Sequence, residues 1–458
     1  MDPTTDTIAS FAEGLGADMI PGRVVHHAKR RLVDSFACAL GAIGSPPARI
    51  ARALAADVSS AHPATVIGAT HGTSPELAAF ANTTMVRYLD YNDMYFAPIG
   101  GGGHPSDLIS GALAVGESLG RSGSEVIRAI VVGYEVLGRL AGTVRLRERG
   151  WDQGIHVVVA AAMEAGVLLG LDKEQLAHAV SLAIIPNLTT RATRVGELSM
   201  WKGCATADAV RNGIFAAQLA GHGMSGPPEP FDGFDGIKQR VTGPFELLIP
   251  ALPDPFVIEG VHTKYRPAEY NAQGALDLIV KLRPRAPVER IERVDLETYW
   301  LAYSEIGMEP EKWDPRTRET ADHSLPYMLA VALVDGELGL ASFTEERIRD
   351  PKLRPVMHKI HISENKDHSK RFPAELLCRI AIRLVDGTEI VDEIAYPKGH
   401  VKNPVSDGEI DRKFDGVAAT RPAAEAAICD ALRKALWRFE TVSDVGTVMR
   451  PLGALAAV

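Results

Sequence analysis

The chain has 458 residues, of which 46% are apolar and 23% are charged, and its formal net charge is −9. This length exceeds one ordinary hydrophobic core, so we expect two domains in a soluble globular protein. No long block of like charge is present, which argues against nucleic acid or a membrane surface as a partner. An anionic ligand would therefore need positive groups gathered locally in a cleft.

The N-terminal segment and the cysteines indicate a cytoplasmic protein. Residues 1–15 contain neither the basic region nor the apolar run of a signal peptide. No window offers the ~18 apolar residues of a membrane-spanning helix. The cysteines are far apart and form no CxxC pair, so neither a structural zinc site nor a disulfide scaffold is expected. They are Cys38, Cys204, Cys378 and Cys429.

The first 250 residues are predicted to be almost wholly helical. Apolar residues recur at helical spacing between Val24 and Leu40. Ser122 followed by Glu125 is a capping box, and Asp172 with Gln175 predicts another helix start. Three further stretches are apolar on all faces, which is typical of helices buried inside a bundle. These stretches are 107–120, 157–170 and 204–220.

The pattern changes near residue 250, where three prolines predict a connector. Alternating segments then predict strands, with a hairpin turn at 385–388 and a helix at 423–439 that returns to the first domain. The predicted strands are 291–299, 356–362, 379–384 and 389–395, and the predicted helices between them are 272–282 and 322–335. We therefore expect a mainly α fold. A large all-helical domain (1–255 and 405–458) would carry an inserted, smaller α+β domain (256–404).

The most informative segment is residues 89–107. Two acids, Asp90 and Asp93, end one helix, a flexible glycine run (100–103) follows, and His104 stands just before the next helix start. Backbone N–H groups at a helix start disfavour an imidazolium, so a histidine there can stay neutral and act as a base or donor. The alternative is a solvated loop with a capping histidine.

Further candidates lie in similar places. His156 opens a buried helix, although such a histidine is more often a core or cap residue. Lys202, between Trp and Gly at another buried helix start, needs an anionic partner: either an internal acid or a substrate carboxylate. Lys264 and Arg266 add positive charge near the connector. The sequence contains no dinucleotide fingerprint, phosphate-binding loop or metal motif.

Five segments follow one another over nearly the whole chain: LDYNDMY…GGGHPSD, SMWKGCATADAVRNGIFAA, KYRPAEYNAQGALD, DPRTRETADHSLPYMLAVAL and YPKGHVKNP. Together they resemble the MmgE/PrpD family. The family includes 2-methylcitrate dehydratase, cis-aconitate decarboxylase and iminodisuccinate epimerase. The resemblance implies that the smaller domain is a lid, that the site lies in the cleft between the domains, that the protein is a homodimer, and that no metal or organic cofactor is needed.

The resemblance also implies the site residues. The expected catalytic residues are Asp90, His104, His156, Lys202 and Tyr327, and the expected substrate-binding residues are Lys264, Arg266, Arg318 and Met94. Decarboxylase-type members carry a hydroxyl residue at the position of Met94. In this chain the glycine run (100–103) replaces a loop that is richer in side chains in the family. These departures leave the substrate open.

The resulting expectation is a cofactor-free lyase that acts on a small polycarboxylate, most simply by dehydrating 2-methylcitrate or a related hydroxy acid. The alternatives are a cis-aconitate-type decarboxylase, an amino-dicarboxylate epimerase, and a non-catalytic scaffold. The lysines would hold substrate carboxylates, a histidine would move the proton, Asp90 would orient it, and Tyr327 would donate to the leaving hydroxyl. Which histidine is acid and which is base stays open.

Overall fold

Two hydrophobic cores organise the computed structural model, which describes residues 1–456. The larger core draws on residues between Ile8 and Val261 and between Val405 and Leu455. The smaller core lies between Ala268 and Ile390. The fold is mainly α with a small α+β unit inserted in the chain. The domain boundaries expected at 255/256 and 404/405 stay a prediction, and the larger core continues past the first of them to Val261.

The larger body is a helical bundle in which α7 packs against α6, α8 and α9, and α9 also packs against α4. Its helices are α1 (Pro3–Gly14), α2 (Gly22–Ala42), α3 (Pro46–Ala56), α4 (Pro75–Tyr88), α5 (Ile109–Ser118), α6 (Gly123–Ala141), α7 (Gly154–Leu169), α8 (Lys173–Ile184) and α9 (Trp201–Gly221). The all-apolar stretches form α5, α7 and α9, which confirms that they are buried helices.

The capping boxes explain where several helices begin. Ser122 Oγ accepts from the backbone N–H of Glu125, whose carboxylate accepts from the N–H of Ser122 at 2.8 Å. Asp172 and Gln175 do the same for α8. The same pattern at Ser406 and Glu409 opens a later helix (Asp407–Ala418) that packs on α2 and was not predicted, although its box is visible in the sequence.

The smaller body, hereafter the lid, contains a four-stranded sheet. Its strands are β3 (Ile291–Thr298), β4 (Ile360–Glu364), β5 (Cys378–Leu384) and β6 (Glu389–Ile394), after the two-residue β1 (Tyr95–Phe96) and β2 (Gly102–Gly103) of the larger body. The order is β4-β3-β5-β6, with β3 parallel to β4 and antiparallel to β5. The predicted hairpin joins β5 to β6, and Gly387 supplies its positive φ of 82°.

The remaining helices are short or belong to the lid and the return segment. They are α10 (Gln273–Leu282), α11 (Trp300–Ala302), α12 (Arg318–Ala321), α13 (Leu325–Asp335), α14 (Glu345–Ile348), α15 (Leu353–Met357), α16 (Lys366–Arg371), α17 (Asp407–Ala418), α18 (Ala426–Leu436) and α19 (Gly446–Met449). The strand predicted at 356–362 is wrong over its first residues. Leu353 and Met357 lie four residues apart and are both fully buried, so they form one face of α15.

The glycine run is packed rather than a flexible, solvated loop, so that expectation is wrong. Gly102 and Gly103 form β2 against β1. A Cβ added at Gly101, Gly102 or Gly103 would lie 2.2–2.3 Å from an oxygen of Ala141, Tyr95 or Gln153. Only glycine fits this close approach, which brings His104 to a fixed place.

Within residues 1–456, no helix combines the length and the apolar character that crossing a membrane requires.

Candidate active site

A cavity of about 330 Å³ lies where the lid meets the helical body. Its wall draws on residues 87–194 of the body and residues 269–372 of the lid. Such a volume lies at the lower end of small-molecule sites, roughly 300–1,000 Å³. Three histidines line it: His104 and His156 from the body, and His323 from the lid.

His104 is held in one tautomer by its backbone surroundings. Its Nδ1 lies 2.6 Å from the carbonyl oxygen of Asp93, and its backbone N–H donates to Oε1 of Gln153 at 2.9 Å. Because a carbonyl oxygen only accepts, Nδ1 carries the proton and Nε2 keeps its lone pair. Burial, reinforced by the nearby Arg87 and Lys264, holds the pKa of His104 well below its ordinary value. The imidazole is therefore neutral near pH 7 and can accept a proton at Nε2.

The segment before His104 is tied to the segment after it. Asp93 Oδ1 accepts from the N–H and from the hydroxyl of Ser106, at 3.1 and 2.7 Å. Tyr134 donates to the other oxygen of Asp93, and Asn92 donates to Ser106 Oγ, both at 3.0 Å. These bonds fix the Asp93 carbonyl on which the tautomer of His104 depends.

The other two imidazoles are also neutral. His156 lies in the first turn of α7, and burial lowers its pKa to about 4. His323 places Nδ1 2.8 Å from Asp322 Oδ1 and 3.4 Å from Asp90 Oδ2. Burial and the charge of Lys202 lower the pKa of His323 to about 4. Since carboxylates only accept, His323 donates from Nδ1 and keeps its own Nε2 lone pair.

Asp90 anchors the body side of the cavity floor. It is 1% exposed and adopts a left-handed backbone conformation with φ of 49°, which is uncommon outside glycine. Lys264 Nζ donates to its carboxylate at 2.6 Å and to its carbonyl oxygen at 2.9 Å, and Arg87 also donates to the carboxylate. Burial alone would raise the pKa of Asp90, but Lys264 and Arg87 hold it well below the ordinary value.

Asp322 forms the matching anchor on the lid. Lys202 Nζ donates to its Oδ1 at 2.5 Å, and Arg318 donates to its Oδ2 at 2.9 Å. Burial would raise the pKa of Asp322, yet Lys202 and its other donors lower it to about 2. Asp90 and Asp322 are therefore permanent carboxylates, each held by two cations and both beside His323.

This cluster does not suit a metal ion, although three ligand atoms of Asp90, Asp322 and His323 lie within 4.8 Å of one another. The two carboxylates are already shared among four cations, so the cluster carries a positive surplus that would repel a divalent ion. The four cations are Arg87, Lys202, Lys264 and Arg318.

The structure places the residues that were expected to bind the substrate's carboxylates away from the cavity surface. Lys202 and Lys264 are fully buried beneath the cavity wall and are paired with internal acids, which is the alternative that the sequence left open. Arg318 likewise holds Asp322 and stacks over Tyr88, with its guanidinium carbon 4.7 Å from the ring centre. The cations that line the cavity are arginines: Arg87, Arg145, Arg147, Arg191 and Arg194. Two of them are already paired with buried acids, Arg87 with Asp90 and Arg194 with Asp152.

Two of the expected residues lie away from the cavity. Tyr327 is fully buried in the core of the lid, and its hydroxyl donates to the carbonyl of Ser342 at 2.6 Å. Arg266 forms an ion pair with Asp277. Both side chains therefore make their contacts inside the lid and not with the cavity. Met94, by contrast, lines the cavity as expected.

Glu269 is a cavity residue that sequence reasoning missed. Asn271 donates to both of its carboxyl oxygens at 2.7 Å, from the backbone N–H and from the side-chain amide. Burial, with Asp90 and Glu305 nearby, nevertheless raises the pKa of Glu269 to about 8. Near pH 7 it is mostly a neutral carboxylic acid and can give up a proton. Its place in the quoted segment KYRPAEYNAQGALD was the available signal.

The arginines and His323 were missed for different reasons. His323 lies inside another quoted segment, two residues after a threonine-rich polar stretch, and looked like part of a helix cap. Arg147 and Arg191 lie in short 3₁₀ turns that resemble solvated surface loops. Only the fold brings these turns to one wall.

Comparison with known proteins places this site in a family. The N-terminal domain model of MmgE/PrpD matches residues 6–248, and the C-terminal domain model matches residues 267–438. A probable 2-methylcitrate dehydratase of Saccharomyces cerevisiae is 30% identical over 73% of this chain and 70% of its own length. The 2-methylcitrate dehydratase of Escherichia coli K12 is 27% identical over 81% of each chain. The cis-aconitate decarboxylase of Homo sapiens is 26% identical over 90% of this chain and 86% of its own.

Proposed function

The chain belongs to the MmgE/PrpD family, and from that premise we propose that it is a lyase that dehydrates 2-methylcitrate, or a closely related hydroxy tricarboxylate, without a metal or an organic cofactor. The observation that carries this proposal is the composition of the cavity wall. Neutral imidazoles, one neutral carboxylic acid and five arginines face the same cavity of about 330 Å³. Arginine is the side chain best suited to bind carboxylates in pairs of hydrogen bonds.

His104 is the base in this proposal. Dehydration removes a proton from a carbon next to a carboxylate, and charge then builds up toward that carboxylate. The lone pair on Nε2 of His104 accepts the proton, giving an imidazolium whose Nδ1–H still donates to the Asp93 carbonyl. The arginines stabilise the carboxylate on which the charge develops, and such preorganised stabilisation is usually the largest contribution to catalysis.

Glu269 is the acid in this proposal. As the C–O bond breaks, the hydroxyl group leaves with the proton of Glu269 and departs as water. The pKa of the Glu269 carboxyl is raised and the pKa of the His104 imidazole is lowered. Near pH 7 the carboxyl can therefore donate a proton and the imidazole can accept one. His323 and His156 remain as further neutral donors or acceptors around the substrate.

Turnover assays of the purified protein test the proposal. The protein is offered 2-methylcitrate, cis-aconitate and iminodisuccinate in separate reactions, and the products are identified by NMR. The proposal predicts formation of 2-methylaconitate from the first acid, with the highest kcat/KM of the three. Turnover of cis-aconitate or iminodisuccinate alone would replace dehydration by decarboxylation or epimerisation. Failure to bind any polycarboxylate would support a non-catalytic scaffold.

We also propose a cytoplasmic homodimer. All four cysteines are unpaired and buried, as suits a reducing compartment. Apolar side chains on α9 and just before it are exposed: Trp201 and Met200 are each 46% exposed, and Phe215 is 53% exposed. These side chains would be covered if a second copy of the chain packed against this helix. Light scattering on the purified protein should give twice the chain mass, 98 kDa against 49.2 kDa, and a monomer would contradict the proposal.

A further inference from the structure

Glu305 of the lid lies between two arginines of the body, Arg147 and Arg191, which together are called the arginine wall of the cavity. Arg191 Nη2 lies 2.5 Å from Glu305 Oε1 and also donates to Oε2, and Arg147 Nη2 lies 2.9 Å from Oε2. Burial alone would raise the pKa of Glu305, but Arg191 and Arg147 hold it below its ordinary value. A carboxylate gripped by two guanidinium groups inside the cavity is the arrangement that a bound carboxylate ligand would adopt.

The two arginines form a prearranged pair on the helical body. Their turns are joined by a backbone bridge between Trp151 and Thr190. Two further backbone bonds of 2.9 Å, Asp152 N–H to the Thr189 carbonyl and Arg191 N–H to the Gly150 carbonyl, complete the connection. The body alone therefore sets the spacing of the two backbone turns that carry Arg147 and Arg191, while the lid contacts the Arg147 side chain through Glu305 and through Ser304 Oγ at 3.0 Å.

Glu305 belongs to the lid, where it lies on a single π-helical turn (Tyr303–Gly307) that follows α11. Among residues 1–456, Arg147 and Arg191 form no ion pair other than the one with Glu305. The pair is only partly covered, because the side chains of Arg147 and Arg191 are 33% and 20% exposed. The arginine side of this pair is therefore open to a carboxylate from solution, although the Glu305 side chain itself is only 10% exposed, whereas Asp90 and Asp322 are at most 1% exposed.

We propose that Arg147 and Arg191 form a carboxylate-binding subsite of the cavity, and that Glu305 is its internal occupant until a carboxylate of the ligand displaces it. This inference rests on the proposed function in one respect, namely that the natural ligand is a polycarboxylate. Binding then replaces one carboxylate by another between the same two arginines. The contact that Glu305 makes across the two bodies is released at the same step.

An inert tricarboxylate tests the subsite directly. Tricarballylate has no hydroxyl group to eliminate, and its Kd for the full chain is measured by isothermal titration calorimetry. An internal competitor lowers the apparent affinity by the fraction of time that it occupies the site. Glu305→Gln, which keeps the shape but removes the charge, should therefore lower Kd at least ~10-fold if Glu305 occupies the arginines most of the time. Unchanged or weaker binding would overturn the proposal.

Two controls separate the subsite from general electrostatics. Glu345→Gln removes the same charge from the lid at a surface pair with Arg349, where both side chains are more than two-thirds exposed, and it should leave Kd within ~2-fold. Arg191→Gln added to Glu305→Gln should abolish the gain in affinity. An equal gain in Glu345→Gln, or a gain that survives Arg191→Gln, would contradict the proposal. Glu305→Asp, with a shorter reach, should give an intermediate gain and serves if the Gln variant fails to fold.

The outcome also separates this inference from the proposed function. If the protein turns over none of the three acids, yet tricarballylate binds and Glu305→Gln tightens it, the subsite stands and the reaction is wrong. If 2-methylcitrate is dehydrated while Glu305→Gln leaves tricarballylate affinity unchanged, the reaction stands and the subsite is wrong.

Discussion

The two charged clusters around the cavity differ in how their charges are held. Around Asp90 and Asp322, every carboxylate and lysine is at most 1% exposed, and each acid has two cationic partners. Around Glu305, one carboxylate from the lid meets two arginines that are partly open to the cavity. The buried carboxylates of the first cluster stay with their own cations. In the second cluster, a carboxylate of the ligand can replace that of Glu305 between the two arginines.

This difference separates two tasks that a carboxylate-binding enzyme must perform. The buried cluster of Asp90, Asp322 and their four cationic partners fixes the His323 ring. Its net positive charge lies at the cavity floor in fixed positions. The arginine wall offers replaceable hydrogen bonds to a ligand. Buried ion pairs add little net stability but are costly to break, and exposed pairs are worth little in either direction. Each variant below should therefore affect either chemistry, stability or binding, but not all three.

The largest expected effect is on chemistry. His104→Ala should lower kcat/KM for the true substrate by ~10²–10⁴-fold, because it removes the proposed base. The melting temperature should change little, since the ring makes one hydrogen bond. His358→Ala, at an exposed position of the lid, is the matched control and should retain full activity. Near-normal turnover of His104→Ala would remove this residue from the reaction.

Breaking the buried cluster should reduce stability. Lys202→Met removes the 2.5 Å partner of Asp322 and leaves that carboxylate with Arg318 alone, and removing one partner from a buried ion pair costs about 3–5 kcal/mol of unfolding free energy. The sequence alone predicts, by contrast, that Lys202→Ala lowers turnover by ~10²-fold or more without unfolding the protein. Lys173→Met breaks a surface pair with Asp6 and should cost less than ~1 kcal/mol. Urea denaturation measures both, and equal losses would contradict the comparison.

Glu269→Gln tests the acid. Activity should fall by ~10²-fold or more, since the amide cannot give up a proton. With a pKa of about 8, the wild-type kcat/KM should decline as pH rises through 8, and this limb should be missing in the variant. The folded-state pKa lies above the ordinary value of 4.5, so the folded protein binds this proton more tightly and its stability falls between those two pH values. Denaturation of both proteins at pH 5 and pH 8 checks the sign: the wild type should lose more stability.

Arg147→Gln tests the arginine wall by removing one of its two arginines. It should raise the KM for the polycarboxylate by ~10-fold with a smaller effect on kcat, because it removes binding rather than chemistry. The unfolding free energy should change by less than ~1 kcal/mol, since this arginine is one-third exposed. A large loss of stability with an unchanged KM would make Arg147 a structural residue.

The smallest effect is expected at Met94, which lines the cavity and forms a backbone bridge with His262. Met94→Thr introduces a hydroxyl without disturbing either cluster. The ratio of kcat/KM for 2-methylcitrate and cis-aconitate should shift by ~10-fold or less, since one small group in a cavity rarely contributes more to discrimination. Competition between the two acids in one reaction measures the ratio directly.

Local signals in the sequence were sufficient for most of the fold. Capping boxes at Ser122 and Asp172 predicted helix starts, and the Asp386-Gly387 turn predicted the hairpin, because these depend on neighbouring residues alone. The strand predicted from Val356 failed because Val356 and Met357 suit either a strand or a buried helical face. Packing against the lid core decided between the two.

The site was predictable only where the chemistry lies in one segment. His104 stands beside the glycines and acids that position it, and the sequence predicted that it could stay neutral because it precedes a helix start. The structure gives another cause, since burial with Arg87 and Lys264 nearby lowers its pKa. Lys202 did not reveal its partner, because Asp322 is distant in the chain. The arginine wall was missed altogether, since each of its turns is unremarkable alone. Tyr327 was assigned by family position, and its packing in the lid core could not be read from the chain.

A crystal structure of the His104→Ala variant with 2-methylcitrate bound would show where the ligand lies and which side chains hold it. We expect the ligand in the cavity between the body and the lid, with its reacting carbon beside the vacated imidazole position, one carboxylate between Arg147 and Arg191, and Glu305 displaced. A ligand bound outside this cavity, or one whose carboxylates contact Lys202 and Lys264 while Glu305 stays in place, would contradict it.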